Sequence, residues 1–253
     1  MVTEIVMTIG LFVLAVVSGM LGLGVAFAAI PFLSLFMSDL VHQVQPLSLL
    51  LNGITALFSV FGFAQSGLVD WKKAIVLSVV TTTCAPLGAW LASASVIKPV
   101  YIWGIYLVAV FYLAYRLLAP AKKVEAGQSL EGGERFWLAV VLAVPISVLS
   151  GLLGVGPGFL LMPSLILVGM EPKQAAAVNA FAVTPPSFSA LLPHLPTAKF
   201  NLNLTIGLLV AGAFGSFLGA RLTSLYIAGP RLKQIFAILV IVMTLYKIAT
   251  MLH

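Results

Sequence analysis

Charge is what this chain has least of. Asp, Glu, Lys and Arg together make up 8% of its 253 residues, against about a quarter in soluble domains. Such a chain cannot coat a water-facing surface. Cysteine occurs once, at Cys84 inside an apolar stretch, which excludes an internal disulfide, and no Cys/His group has metal-ligand spacing. No Lys or Arg precedes Lys72. The first hydrophobic segment therefore lacks the basic flank of a cleaved signal and is expected to be retained. The net charge is +6, but the basic residues are scattered, with no stripe interleaved with aromatics. Nucleic acid is thus not an expected partner, and the surplus reads as the positive bias of loops on one membrane face. Neither H-E-x-x-H nor a nucleophile–base pair appears, which weighs against an intramembrane enzyme, and no cofactor is expected.

What the chain does have is apolar length. Hydrophobic residues fill 61% of it, in continuous runs rather than the alternating pattern of a membrane β-barrel. About 20 apolar residues cross the hydrocarbon core as a helix. The fold class expected is an all-α integral membrane protein, multi-pass in the cell membrane and surrounded by lipid. Runs at 5–37, 46–65, 74–96 and 100–119 form an N-terminal repeat, residues 1–121. A polar linker at 122–135 follows. Runs at 136–170, 175–192, 202–226 and 232–252 form a C-terminal repeat, residues 136–253.

The halves match in detail. SGMLGLGVAFAAIP, from Ser18, aligns without a gap with SGLLGVGPGFLLMP, from Ser150. Gly19, Gly22, Gly24, Phe27 and Pro31 fall opposite Gly151, Gly154, Gly156, Phe159 and Pro163, and LGAWL ending at Leu91 answers LGARL ending at Leu222. Internal duplication of this kind marks secondary transporters. Each first segment has about 33 residues, nearly 50 Å of helix, too long for one straight span. If it folds back, as a re-entrant hairpin or two short helices, three transmembrane helices follow in each half and ten of the 13 Lys and Arg lie on one side. The positive-inside rule then makes the halves inverted repeats, with the linker cytoplasmic and both termini outside.

The candidate site lies where these segments break. Gly22 and Gly24, and Gly154, Gly156 and Gly158 around Pro157, interrupt helices at membrane depth. A break there needs protein shielding or a wet cavity, and its helix N-terminus offers free N–H groups and a positive dipole end to an anion. The bland alternative is that these glycines only let helices approach closely. Asn52 and Thr55 in the second run, and Asn179, Thr184 and Ser187 in its counterpart, are the uncharged polar groups that would complete a binding shell. For a single hydroxyl, such as those of Thr81–Thr83, helix-to-helix glue is the commoner role. No acidic or basic residue sits in the centre of a run; Arg221 is the nearest and is expected to snorkel. The lack of intramembrane carboxylates argues against a cation or metal carrier.

The duplicated G-x-G-x-G-F-x-x-x-P pattern, clearest at residues 154–163, resembles the sulfite exporter TauE/SafE family, and the similarity extends over nearly the whole chain. This sequence departs from the family's G-x-G-G-G string: Pro157 replaces one glycine, and Val25 and Ala26 replace two in the first half. The resemblance implies a secondary carrier for a small sulfur-containing anion such as sulfite, sulfoacetate or another sulfonate. It would work by alternating access, one half rocking against the other, and is compatible with a homodimer. The competing reading is a membrane scaffold or partner subunit without transport of its own.

Overall fold

The computed structural model describes residues 2–93, 104, 132–153 and 156–252. Nine helices carry the described chain: α1 (Val2–Leu21), α2 (Ala26–Leu33), α3 (Gln45–Ala64), α4 (Trp71–Ser93), α5 (Gly132–Leu153), α6 (Gly158–Leu167), α7 (Pro172–Leu191), α8 (Leu202–Leu225) and α9 (Gly229–Leu252). A π-helical turn at Leu40–Val44 leads into α3, and a 3-10 turn at Leu192–His194 ends α7. The chain is an all-α integral membrane protein. The run at 100–119, apart from Gly104, lies outside the described residues, as do Gly154 and most of the linker. Helix α5 starts four residues inside the stretch assigned to that linker.

Both long Gly-rich segments break where the glycines are. Gly22 and Gly24 take positive φ values of 61° and 70°, a region glycine enters without a Cβ penalty. They turn the chain back on itself. Phe32 of α2 lies against Gly10 of α1, and Met7, Leu11, Ala29, Leu33, Val44, Leu47 and Leu51 form one buried cluster. The segment is therefore one long helix followed by a short one running back. The 20 residues of α1 span about 30 Å and the eight of α2 about 12 Å.

Helices α3 and α7 sit at the centre. Both pack on each other, α3 also on α8 and α7 also on α4. Every residue from Ala175 to Ala180 is buried, so α7 meets protein rather than lipid and needs small side chains more than greasy ones. Among the described residues, Val2–Leu21, His42–Ala64 and Leu202–Leu225 are long and apolar enough to cross a membrane. Outward stripes such as Ile5, Ile9 and Val13 on α1, and Ile206, Val210, Phe214 and Leu218 on α8, face where lipid belongs.

Direction follows from side-by-side contacts. Thr55 meets Gly212, Gly62 meets Ala220, and Ser66 meets Arg221, so α3 and α8 run in the same sense. Helix α7 runs the other way: Lys173 near its start reaches the Ser224 carbonyl late in α8 at 3.1 Å, while Ser187 near its end meets Asn52 early in α3.

The most intimate packing crosses between halves. Helix α1 lies along α8 and α4 along α5. At Gly219 a Cβ would collide with the Val16 carbonyl and come within 2.8 Å of the Met20 amide; at Gly88 it would collide with the Val148 carbonyl and come within 2.8 Å of the Leu152 amide. These positions are equivalent in the two aligned strings, so one contact is built twice. Gly88→Ala and Gly219→Ala should each lower the melting temperature in detergent by similar, large amounts, since backbone rather than side chain must yield. A tolerated substitution at either would contradict the repeat of this contact.

Prolines inside helices leave carbonyls free, and one is recovered across helices. Pro186 has no N–H to give to the Ala182 carbonyl four residues earlier, and the fully buried Thr81 hydroxyl donates to that oxygen at 2.7 Å. Thr81 is therefore the inter-helix glue expected of a lone hydroxyl. Thr81→Val should cost about 1–3 kcal/mol. In a Pro186→Ala background, where the helix amide can take over, thermal melts should show most of that penalty gone.

Candidate functional site

The two breaks meet at the centre of the protein, tied together by Asn52 and Asn179. Each asparagine is the eighth residue of its helix, and both are buried, at 1% and 0% exposure. Asn52 Oδ1 accepts from the Ala26 amide at 2.8 Å, and its Nδ2 donates to Ser187 Oγ at 2.7 Å. The Thr55 hydroxyl accepts from the Val25 amide at 3.2 Å and donates to the Leu51 carbonyl at 2.7 Å. The first break is thus closed: the amides that would open α2 to an anion are taken by Asn52 and Thr55. Val25 and Ala26, in place of glycines, are fully buried beside them.

The second break is built differently. Asn179 Nδ2 donates to the Gly22 carbonyl at 2.8 Å and to the Gly158 carbonyl at 3.2 Å, so it joins one break to the other. Three residues on from Asn179 stands Ala182, where Asn52 has Thr55, and among the described residues no hydroxyl is bonded to the start of α6. Pro157, the N-cap of α6, contributes no side-chain cap. Gly156 faces the other half, where a Cβ would lie 2.9 Å from Asn52 Nδ2. Phe27 and Phe159, at equivalent positions, stack with centroids 3.9 Å apart and planes 16° from parallel. Alignment had marked these rings only as matched positions; their mutual contact was not legible there.

Of the residues singled out from sequence, Gly22, Gly24, Asn52, Thr55, Gly156, Gly158, Asn179 and Ser187 converge. Thr184 is buried, but its hydroxyl donates to the Ala180 carbonyl of its own helix at 2.9 Å. Gly154 lies outside the described residues. Titratable groups stand at helix ends. Arg221 donates to Ser66 Oγ at 3.1 Å. The His42 ring lies 2.9 Å from Asp39, and the His42 amide, donating to the Asp39 carboxylate, holds that group below its ordinary range. Among the described residues no group of three or more His, Cys, Asp or Glu could hold a metal ion.

The match to known proteins can now be set on this geometry. Residues 6–247 match the family described as sulfite exporter TauE/SafE. The chain belongs to that family. Similar curated proteins include a probable membrane transporter protein of Xylella fastidiosa, 28% identical over 77% of this chain and 75% of its own. The probable membrane transporter protein YdhB of Bacillus subtilis is 22% identical over 85% of this chain and 88% of its own. The probable membrane transporter protein MJ0441 of Methanocaldococcus jannaschii is 21% identical over 73% and 69%. No solved structure matches. The chain is accordingly a membrane transporter of the TauE/SafE family.

The glycines of the breaks differ in what a side chain would meet. At Gly22 a Cβ would strike the Ala176 backbone carbonyl, on top of the positive φ. At Gly156 only side-chain atoms of Asn52 and Val183 lie near. Gly22→Ala should lose more than the about 1–2 kcal/mol that a left-handed non-glycine residue costs and express poorly. Gly156→Ala should fold, with a modest drop in melting temperature. Equal behaviour of the two would contradict this description of the breaks.

Proposed function

We propose that this TauE/SafE member is a secondary transporter of a small sulfur-containing anion such as sulfite, sulfoacetate or another sulfonate, bound at the paired breaks and exported from the cell. The observation that carries the proposal is the meeting of two broken helices at a buried centre, cross-tied by one asparagine from each half. Broken segments at matching places in two halves are where secondary carriers hold their cargo. The positive end of α6 supplies attraction without a fixed cation. Binding is then weak enough for release, as a carrier needs.

The opposite senses of α3 and α7, which occupy equivalent places in the two halves, support reading the halves as inverted repeats. Positive-residue bias puts the linker in the cytoplasm and the termini outside. Alternating access then follows from two arrangements of nearly equal energy. Because α1 packs along α8 and α4 along α5, the halves are interlocked. The moving units are these mixed pairs, shifting against the α3–α7 centre, rather than one whole half against the other.

Gly156→Leu, whose side chain would fill the space against Asn52, should abolish anion flux in proteoliposomes while the purified protein stays monodisperse and melts cooperatively. Normal flux in such a well-folded variant would remove the breaks from the transport path. A wild-type protein that moves no sulfur anion, in either direction, would favour a scaffold role.

A further inference from the structure

Arg221 is a cation on the lipid side of α8. It follows Leu218 by three residues and precedes Leu225 by four, which puts it on one helix face with both. Those leucines are 45% and 55% exposed and belong to the outward stripe that faces lipid. Leu225 ends α8, so Arg221 stands about 6 Å inside the helix end. From there an arginine lays its stem along hydrocarbon and brings its head to the level of the lipid headgroups.

The protein leaves this charge unanswered. Arg221 is half-buried and donates to Ser66 Oγ, a neutral oxygen, at 3.1 Å. The ion pairs among the described residues are His42–Asp39 and Lys73–Asp70, so no described carboxylate pairs with it. Lys173, the other cation at this helix end, also spends its ammonium on a neutral group, the Ser224 carbonyl. The starts of α4, α5, α7 and α9 gather at the same end; Lys73 of α4 lies 5.8 Å over the Phe136 ring of α5. Including Lys173, they bring six further Lys and Arg among the described residues, against Asp70, Glu134 and Glu171. Asp70 is held by Lys73 at 3.0 Å, and the Glu171 carboxylate accepts from the Gln174 amide of its own helix. The surplus at this end is positive.

Apolar surface lies directly beneath. Helices α3 and α8 touch beside Arg221, where a Cβ at Gly62 would come 3.5 Å from the Arg221 amide. Phe61 of α3 is 51% exposed and meets Phe58 edge to face, with ring centroids 5.9 Å apart. Both rings on α3, and Leu218 and Phe214 on α8, stand deeper in the membrane than Ser66 and Arg221.

We infer that Arg221 and Ser66 hold the phosphate of an anionic phospholipid, whose acyl chains lie along the exposed apolar surface of α8 and α3. A guanidinium offers a phosphate two parallel N–H groups, and the Ser66 hydroxyl has a proton of its own to give. A zwitterionic headgroup would bring its own ammonium among the surplus of Lys and Arg. An anionic headgroup brings none, and basic sites between membrane helices are where such headgroups bind. The inference rests on the membrane fold and is independent of what the protein carries.

The test is a melting-temperature titration of the purified full chain, in an uncharged detergent, with dioleoylphosphatidylglycerol and dioleoylphosphatidylcholine. These share their chains and differ in headgroup charge. The glycerol lipid should half-saturate at about fivefold lower mole fraction, the worth of one basic residue near the membrane surface. Arg221→Gln should erase that preference, while Lys72→Gln, at an exposed lysine of the same end, should keep it. If Arg221→Gln does not fold, Arg221→Lys, which retains the charge but not the fork, should show a reduced preference. Equal half-saturation by the two lipids, or a preference indifferent to Arg221, would overturn the inference. So would an equal loss in Lys72→Gln, which means diffuse attraction rather than a site. Equal stabilisation by water-soluble glycerol 1-phosphate would replace the lipid with a free phosphate. A dimer in light scattering that dissociates in the Arg221 variants would instead give this face to a second copy of the chain. Either result would also overturn it.

Discussion

The structure depends on how two interruptions of helix backbone are kept satisfied in the interior of a membrane protein. Water is not freely available there to take an orphaned N–H or C=O, and each such group left alone costs several kcal/mol. Asn52 and Asn179 meet that demand with groups that can donate and accept without carrying charge. To do so they must each stand beside a break, which brings α3 and α7 to the centre and surrounds them with the remaining helices. Once there, α7 has no lipid to face, and its alanines and two prolines become tolerable. Thr81 on α4 then supplies the donor that Pro186 takes from its own helix.

A second constraint is backbone proximity between halves. Gly88 against Val148 and Leu152, and Gly219 against Val16 and Met20, are one contact made twice. In lipid, helices associate through close van der Waals packing and polar contacts rather than through a hydrophobic drive. Glycine permits that packing by letting backbones approach to a distance no side chain allows. Among the described helices the result is an interlocked fold, with α1 packed along α8 and α4 along α5. Each long first helix finds its main neighbour in the other half.

The duplication is not strict, and the departures cluster at the centre. Thr55 has Ala182 opposite it, Ala26 has Gly158, and Val25 has Pro157. Together they go with a first break whose Val25 and Ala26 amides are taken by side chains, and a second where Asn179 Oδ1 has no partner among the described residues. A symmetric site would place two identical half-sites around a small ligand. Here the two breaks are partnered differently, Asn52 and Thr55 taking amides at the first and Asn179 linking carbonyls of both.

Much of this was legible before any coordinates. Sparse charge and continuous apolar runs determined that the chain is a helical membrane protein. The gapless match of the two Gly-rich strings located both breaks, because helix-breaking at membrane depth is too costly to occur without cause. Helix boundaries at α3, α7 and α8 fell close to the ends of their hydrophobic runs for the same reason. What the sequence could not settle was how the polar groups near the breaks are partnered. Asn52 and Asn179 look alike in their helices, yet the Asn52 oxygen receives a backbone amide while the Asn179 oxygen has no partner among the described residues. Thr55 and Thr184 both donate to a carbonyl of their own helix, but only Thr55 also accepts an amide of a break. Gly88 and Gly219 read as a repeated string, and only the folded chain shows that each lies against the first helix of the opposite half. Composition and periodicity report which faces avoid water. Hydrogen-bond pairing depends on distances between residues more than a hundred positions apart, and only the tertiary structure decides those.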